Sequence, residues 1–336
     1  MPVFMFGGDV MAASCDIAIV MAACNGEEYI RAQIESIQNQ TIANWKLIIR
    51  DDESTDSTLA ILSELANNDG RIKVIADKLG PQKSAQKNFS LLVNVVIGCE
   101  CGYVFFSDQD DLWERDKLEK MMMYMHVVEA DFPEAPIMIH SDLIVVDANN
   151  NELASSFLRF QGLRHENIFP LRVLLAQNFV TGCASLVNLS LLKIAAPFPN
   201  EMMMHDWWLA LCAASTGKLL FVPERMVRYR QHGMNSIGAK GYWARLNPFA
   251  TSIMFRWRRG KKNISGTINQ ARALSMRVDQ ELATGSVPLV YMDTIRAYAR
   301  LMQLSPAARL GSLQKYRIQR QTLLTDLIFK LRVFFM

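Results

Sequence analysis

The sequence predicts an α/β protein with a doubly wound, mainly parallel sheet and a helical, basic C-terminal appendage. Short apolar runs alternate along the chain with segments in which apolar residues recur every three or four positions. Such alternation is typical of parallel sheets with helices on both faces. The 336 residues are 50% hydrophobic, which is enough to fill a large core.

The elements follow in order from the N-terminus. Residues 17–22 form an apolar run, and the next segment, 28–40, carries Ile30, Ile34 and Ile37 on one helical face. With the β-like run at 46–50, this predicts a β-α-β unit. The alternation continues with helices at 56–67, 85–97, 113–124 and 207–214 and strands at 72–76, 103–106, 137–140, 141–146, 184–188 and 219–222.

Charge divides the chain into unequal parts. Residues 1–235 hold 19 Lys and Arg against 29 Asp and Glu, whereas residues 236–336 hold 17 against 4. We therefore expect a short leader at 1–15, a main domain at 16–235 and a basic, mainly helical region at 236–336. The acidic main domain is a poor nucleic-acid binder, so no nucleic-acid partner is expected.

Composition also bounds the cellular context. No uninterrupted run of about 18 apolar residues is present, and the six cysteines lack the paired spacing of a zinc site or a disulfide scaffold. The leader has no positive charge, and Asp9 interrupts its apolar part, so its pattern does not predict a secretion signal. These features favour a soluble or peripheral protein of a reducing cytoplasm.

Acidic clusters follow two predicted strands. Asp51 and Asp52 come directly after one strand, and Asp108, Asp110 and Asp111 come after another. The carboxyl ends of parallel strands meet at one edge of a sheet, where ligands bind. Because adjacent carboxylates raise one another's pKa, the clusters predict a divalent cation, Mg²⁺ or Mn²⁺, shared with substrate phosphates.

Helix capping is the structural alternative for two of these acids. Asp56 can cap the helix after the first cluster, and Asp111 can cap the helix predicted at 113–124. Capping does not explain Asp108 together with Asp110, nor the doubling at 51 and 52. A ligand site is therefore the favoured interpretation of the clusters as a pair.

Three motifs together resemble glycosyltransferase family 2, in its rhamnosyltransferase-like branch for bacterial O-antigen and capsular polysaccharides. Residues 19–30 read Ile-Val-Met-Ala-Ala-Cys-Asn-Gly-Glu-Glu-Tyr-Ile, 51–56 read Asp-Asp-Glu-Ser-Thr-Asp, and 107–111 read Ser-Asp-Gln-Asp-Asp. The resemblance spans about 16–235. It implies a GT-A catalytic domain that transfers a sugar, with rhamnose as one candidate, with inversion from a UDP- or dTDP-sugar donor to a saccharide or lipid-linked acceptor.

The resemblance also implies residue roles. Asp52 would contact the nucleotide base, with Asp51 supporting that pocket. Asp110 would bind the metal at the diphosphate, and Asp108 would lie near the ribose or the donor sugar. The other implied nucleotide-sugar contacts are Ala22, Asn25, Lys87 and Asn88, of which Lys87 can equally be a solvated helix lysine.

Asp206 is the candidate catalytic base. An inverting transfer needs a carboxylate to take the proton from the acceptor hydroxyl, and the resemblance places one here, in Met-His-Asp-Trp-Trp at 204–208. His205 stands where the family usually has Glu, so the role of that position is open. Asp206 can also be an N-cap for the helix at 207–214. The two tryptophans can stack on a sugar ring or fill the core, and one of them is expected in the core.

Two basic residues late in the main domain complete the predicted site. By resemblance, His232 is a metal ligand beside the diphosphate, with a structural histidine as the alternative. Arg230 can offset diphosphate charge, because a guanidinium grips two oxygens at once.

The tail combines aromatic and basic residues. Segments 242–245 and 255–262 mix aromatic rings with cations, and an apolar stripe follows at Leu324, Leu327, Ile328, Leu331, Phe334 and Phe335. We expect such a helix to lie on an anionic membrane, at the inner face of the cell membrane. Alternatively, the stripe packs on the catalytic domain or on a second copy, which makes an oligomer possible.

Two other function classes compete with the transferase. A dinucleotide-dependent oxidoreductase needs Gly-x-Gly-x-x-Gly after the first strand, and residues 22–27 instead read Ala-Ala-Cys-Asn-Gly-Glu. A noncatalytic nucleotide- or membrane-binding protein remains the alternative, although it leaves the acidic clusters without a role.

Overall fold

The computed structural model of the protein describes residues 16–75, 80–99, 101–232, 252–282 and 289–336. The predicted leader at 1–15 and the aromatic-basic segment at 242–245 lie outside these residues. The strands are β1 (Ile17–Ala23), β2 (Trp45–Asp51), β3 (Ile72–Ile75), β4 (Tyr103–Ser107), β5 (Leu112–Trp113), β6 (Ile137–Val146), β7 (Glu152–Ala154), β8 (Ser185–Asn188) and β9 (Lys218–Arg230).

The helices lie between and after these strands. They are α1 (Ile30–Gln38), α2 (Thr58–Asn68), α3 (Ala85–Gly98), α4 (Lys117–Asp131), α5 (Phe157–Gln161), α6 (Pro170–Leu174), α7 (Leu189–Ala195), α8 (His205–Thr216), α9 (Ile253–Leu282), α10 (Leu289–Ala299), α11 (Pro306–Lys315) and α12 (Leu323–Phe334).

All the strands belong to one mixed sheet. Its order is β3-β2-β1-β4-β8-β6-β9-β5, and β7 pairs with β6. Strands β3, β2, β1 and β4 run parallel, and β8 runs antiparallel to both β4 and β6. Since β9 is parallel to β6, six strands share one direction, and only β5, β7 and β8 of the described strands oppose it. The predicted mainly parallel sheet is confirmed.

Helices cover both faces of the sheet because its central strands alternate their side chains. In β1, Ala18 and Val20 join the core on one face with α3, α7 and α8. Ile19 and Met21 join the opposite core with α1 and α4. A period of two with both faces apolar is what a central strand of a doubly wound sheet requires.

The structure differs from the sequence prediction at three elements. The predicted strands at 137–140 and 141–146 form one continuous strand, β6, which pairs with β9 across a register shift at Ser141. The helix predicted from residue 113 begins at Lys117 instead, because Trp113 pairs with Val227 of β9. Strand β9 therefore extends to Arg230, at the ligand-binding edge, rather than ending near residue 222.

The predicted helical C-terminal region is present, and its helices share the core of one sheet face. Ile264, Ile268 and Leu274 of α9 are buried in the cluster that contains Trp208 of α8. The Gln270 side chain also accepts a hydrogen bond from the Met203 N–H at 2.7 Å, just before α8. Of the helices that the structure describes, none has both the length and the apolar content needed to span a bilayer.

Candidate active site

The site lies at the edge where the parallel strands end, and Gln109 joins two of its loops. The Gln109 side chain accepts from the Cys24 N–H at 2.8 Å and donates to the Cys24 carbonyl at 3.0 Å. A Cβ added at Gly26 would lie 2.6 Å from Gln109 Oε1, so a larger residue there would displace the Gln109 side chain from these hydrogen bonds. The end of β1 is thus held against the predicted cation-binding segment after β4.

Asn25 and Asp51 shape the turn beside this junction. Asn25 adopts a positive φ of 49°, and its side-chain oxygen accepts from the Thr55 N–H at 2.8 Å. Asp51 accepts from the Ser54 N–H at 3.0 Å, while Ala22 is partly buried behind the turn at the end of β1. These residues fix the loops that border the edge, as polar side chains commonly do in turns.

Asp52 is a buried carboxylate held entirely by protein donors. It accepts from Arg50 Nη1 at 2.7 Å and from the backbone N–H groups of Gln82 and Lys83 at 2.7 and 2.8 Å. Burial raises its pKa, but the N–H groups and the guanidinium together bring that pKa below the ordinary value. Asp52 thereby anchors the segment leading into α3. The predicted contact of Asp52 with the nucleotide base remains a prediction.

Asn88 and Lys87 on α3 have different surroundings. Asn88 is buried, and its side-chain oxygen accepts from Arg50. Lys87 is exposed on the helix, which suits the alternative of a solvated lysine, and its contact with the donor remains a prediction. Asp56 accepts from the Thr58 N–H at 3.0 Å, at the first residue of α2, but the N-cap of that helix is Ser57 rather than Asp56.

The two predicted metal ligands lie together. His232 Nε2 is 2.8 Å from Asp110 Oδ2, although 122 residues separate them in sequence. Tyr29 links this pair to Arg230, because its ring lies 4.6 Å from the His232 ring and 4.5 Å from the Arg230 guanidinium carbon. The predicted cation ligand set and the predicted diphosphate-binding arginine therefore occupy one corner of the edge.

A second acidic group lies behind that corner. Ligand atoms of Asp108, Asp111 and Cys183 all lie within 4.8 Å of one another. Burial and the Asp110 and Asp206 carboxylates raise the pKa of Asp108 to about 7. A cation or a diphosphate-bound metal would relieve this repulsion, so the residues present fit a hard divalent ion.

Asp111 does not cap a helix. The N-cap of α4 is Asp116, and Asp111 is instead buried and accepts from the Arg230 N–H at 3.1 Å. Buried Lys117 supplies positive charge nearby, with its Nζ 2.6 Å from the Cys183 carbonyl oxygen and 3.3 Å from the centre of the Trp113 ring. Burial lowers the pKa of Lys117 to about 7.

Asp206 lies in the first turn of α8 and is only 8% exposed. Its oxygens accept from the Trp207 N–H at 2.6 Å, the Gly182 N–H at 3.1 Å and Asn178 Nδ2 at 3.3 Å. Burial nevertheless raises the pKa of Asp206 to about 6. The capping alternative is wrong, because the N-cap of α8 is Met204.

Two of the residues around Asp206, His205 and Trp208, are buried in the core. Buried His205 packs 4.0 Å from the Phe89 ring, and burial lowers its pKa to about 3, so it is a neutral packing residue. Trp208 is fully buried and donates to the Ala195 carbonyl at 3.0 Å, which confirms one core tryptophan. Trp207 is partly buried and donates to the Leu174 carbonyl at 2.6 Å.

Gly182→Ala is expected to destabilise the protein by about 1–3 kcal/mol. An added Cβ would lie 2.5 Å from His205 Nε2 and 3.5 Å from Asp206 Cβ, and the buried histidine has little room to move. Denaturant unfolding measures the loss. Gly70→Ala is the control, because nothing lies within 4 Å of its added Cβ. Equal unfolding midpoints for the two variants would show that the contact is not tight.

Sequence reasoning missed several residues that organise the site. Tyr29, Gln109, Lys117 and Cys183 all act through partners more than 60 residues away in sequence. Gln109 and Tyr29 fall inside quoted motifs, but neither carries a charge that points to a ligand. Gly182 is the one such residue with a local sequence signal, because it is a glycine just before the apolar run of β8.

Comparisons with known proteins agree with this geometry. Residues 18–161 match the family model of glycosyl transferase family 2. The dTDP-rhamnosyl transferase RfbG of Shigella flexneri is 26% identical over 230 residues, which cover 65% of this chain and 74% of that protein. The Escherichia coli UDP-Glc:alpha-D-GlcNAc-diphosphoundecaprenol beta-1,3-glucosyltransferase WfgD is 27% identical over 193 residues, 57% of this chain and 68% of that protein.

Other matches are more local or more distant. An uncharacterized glycosyltransferase of Haemophilus influenzae is 36% identical over 110 residues, and the chain spans only 32% of its length. S. aureus TarS has a TM-score of 0.53 at 14% identity, covering 90% of this chain and 48% of that one, which establishes a shared GT-A fold. Through residues 18–161 the chain is therefore similar to glycosyl transferase family 2.

Proposed function

We propose that the protein is an inverting glycosyltransferase that moves a sugar from a nucleoside diphosphate donor to a saccharide or lipid-linked acceptor in bacterial surface polysaccharide synthesis. The single observation that carries this is the placement of Asp206. Asp206 accepts from the Gly182 N–H at 3.1 Å, and the ligand atom of the next residue, Cys183, lies within 4.8 Å of those of Asp108 and Asp111. Burial also raises the pKa of Asp206 to about 6. A carboxylate that can act as a base therefore lies beside the acidic, cation-ready corner.

The donor half of the site is the edge formed by β1, β2 and β4. We assign the nucleoside to the surface between Asn25, Asp51 and the segment that Asp52 anchors. Asp110 and His232 would hold a divalent ion, Mg²⁺ or Mn²⁺, which when bound would neutralise charge on the diphosphate leaving group. Arg230 adds a fixed positive charge beside that pair.

Asp206 would serve the acceptor half as general base. Its three N–H donors hold the carboxylate in one orientation, so that an acceptor hydroxyl can deliver its proton to a fixed oxygen. The proton moves to Asp206 while the hydroxyl oxygen bonds to the anomeric carbon from the side opposite the diphosphate. The bond between that carbon and the diphosphate oxygen breaks, and the nucleoside diphosphate leaves. That direction of attack inverts the anomeric configuration.

The relatives narrow the choice of sugars and nucleotide bases to test in the donor. RfbG is named for a dTDP-rhamnosyl donor and WfgD for UDP-glucose, so these two are the first candidates. Incubating the protein and Mn²⁺ with a panel of nucleotide sugars and polyprenyl-diphosphate saccharides, and detecting product by mass spectrometry, tests the proposal. Turnover of one donor supports it. Nucleotide binding without turnover of any donor favours the noncatalytic alternative.

Transfer is expected to fall as the pH drops below about 6. The base must be ionised to accept a proton, and protonation of Asp206 through its pKa of about 6 removes it. The expected kcat profile therefore loses about tenfold per pH unit on the acid side. Circular dichroism at each pH serves as the control for unfolding. A kcat that stays constant down to about pH 5 would contradict the assigned base.

A further inference from the structure

The last helix leaves its apolar stripe uncovered. Phe329 and Val333 are the buried residues of α12, whereas Leu327, Leu331 and Phe335 are 56%, 43% and 61% exposed. Together with α11 these exposed side chains form an open groove of about 650 Å³. It is lined by Leu310, Gln314, Leu327, Lys330, Leu331, Phe334 and Phe335. Contiguous exposed apolar surface of this kind usually marks an interaction site.

A strongly basic helix end adjoins the groove. Lys261 of α9 donates to the Phe335 carbonyl at 2.6 Å, and Arg332 of α12 donates to the Arg256 carbonyl at 3.1 Å. The first three turns of α9 therefore meet the end of α12. The exposed residues of these turns include Arg258, Arg259 and Lys262, together with Phe255, which is 58% exposed.

We infer that this α9–α12 surface, the groove together with the basic end of α9, docks on an anionic phospholipid bilayer. Apolar side chains can enter the acyl boundary while the cations contact lipid phosphates. A second copy fits less well, because residues 236–336 hold 17 Lys and Arg against 4 Asp and Glu. Two copies of one basic surface would repel each other.

Membrane docking is independent of sugar transfer. Failure of one proposal therefore does not contradict the other. The experiment measures binding of the full chain to vesicles of phosphatidylcholine, with and without an equal part of phosphatidylglycerol. We expect binding only to the anionic vesicles, weakened by salt. Arg258→Gln/Arg259→Gln is expected to lower the affinity about thirtyfold, on the basis of roughly five- to sixfold for each cation removed.

Leu327→Glu/Leu331→Glu is expected to abolish binding, because it places two carboxylates in the groove. The matched control is Met123→Glu/Val127→Glu on α4, where the side chains are 54% and 61% exposed. The control should bind like the wild type. Absence of wild-type binding to anionic vesicles, or unchanged binding by the groove variant, would overturn the inference. Sedimentation velocity tests whether a second copy binds this surface. A wild type that is dimeric, with a groove variant that is monomeric, would assign the surface to self-association instead.

Discussion

Asp206→Asn is expected to lower the rate of sugar transfer by about a hundredfold to ten-thousandfold while donor binding stays nearly intact. The substitution keeps the size of the side chain and its place in the first turn of α8, but an amide cannot accept the acceptor proton. Because no other feature of the donor edge changes, the loss should appear in kcat. Single-turnover kinetics with saturating donor measure it.

Glu201→Gln is the control for this substitution. Glu201 is an exposed acid five residues before Asp206, and its neutralisation changes local charge without touching the proposed base. The control should keep wild-type kcat. If Asp206→Asn retained substantial transfer, Asp206 would be excluded as the base. An equal loss in both variants would point to a general effect of charge near α8.

Asp110→Ala is expected to remove metal-dependent binding of nucleoside diphosphates. The variant takes away one member of the pair in which Asp110 Oδ2 lies 2.8 Å from His232 Nε2. The diphosphate then loses its bridge to the protein, and its affinity in Mn²⁺ should fall to the value measured in EDTA. Isothermal titration of UDP and dTDP against the variant, with and without Mn²⁺, gives both numbers.

Asp131→Ala controls for the loss of one carboxylate, because Asp131 is exposed at the far end of α4. It should retain the wild-type dependence on Mn²⁺. Unchanged, metal-dependent affinity in Asp110→Ala would remove this residue from the ligand set. The remaining acidic group, Asp108 with Asp111 and Cys183, would then be the only candidate among the described residues.

Much of the fold followed from local patterns. The apolar runs at β1, β2 and β4 and the helical spacing in α1 predicted their elements to within a few residues, because both signals are local. Strand β5 could not be predicted that way. Two residues pair with β9 more than 110 positions later, and this contact overrides the helical pattern that begins at Trp113.

The sequence predicted which acids belong to the site, but much less of how they are arranged. Placing carboxylates after β2 and β4 required only strand ends and topology. The state of each acid required its tertiary partners. Asp52 is occupied by the N–H groups of Gln82 and Lys83, and Asp111 lies near buried Lys117 rather than at a helix start. Contacts across 30 to 80 residues leave no local periodicity in the sequence.

The apolar stripe of α12 also shows what a local sequence pattern leaves undetermined. The spacing of Leu324, Leu327 and Leu331 correctly marks one apolar helix face, but periodicity does not say which face meets the protein. In the structure, Phe329 and Val333 make that contact. Of the predicted stripe, Leu324, Leu327, Leu331 and Phe335 stay exposed, and Ile328 and Phe334 are partly buried. A truncation of α12 would therefore remove core residues as well, which is why point substitutions suit this surface better.

Carboxylates from separate strand ends are proposed to share one cation with a diphosphate. Electron–nuclear double resonance of Mn²⁺, with the wild-type protein and UDP or dTDP, tests this proposal. We expect a phosphorus hyperfine coupling to the protein-bound Mn²⁺ that disappears in Asp110→Ala. A wild-type complex that binds the nucleotide with no such coupling would contradict it.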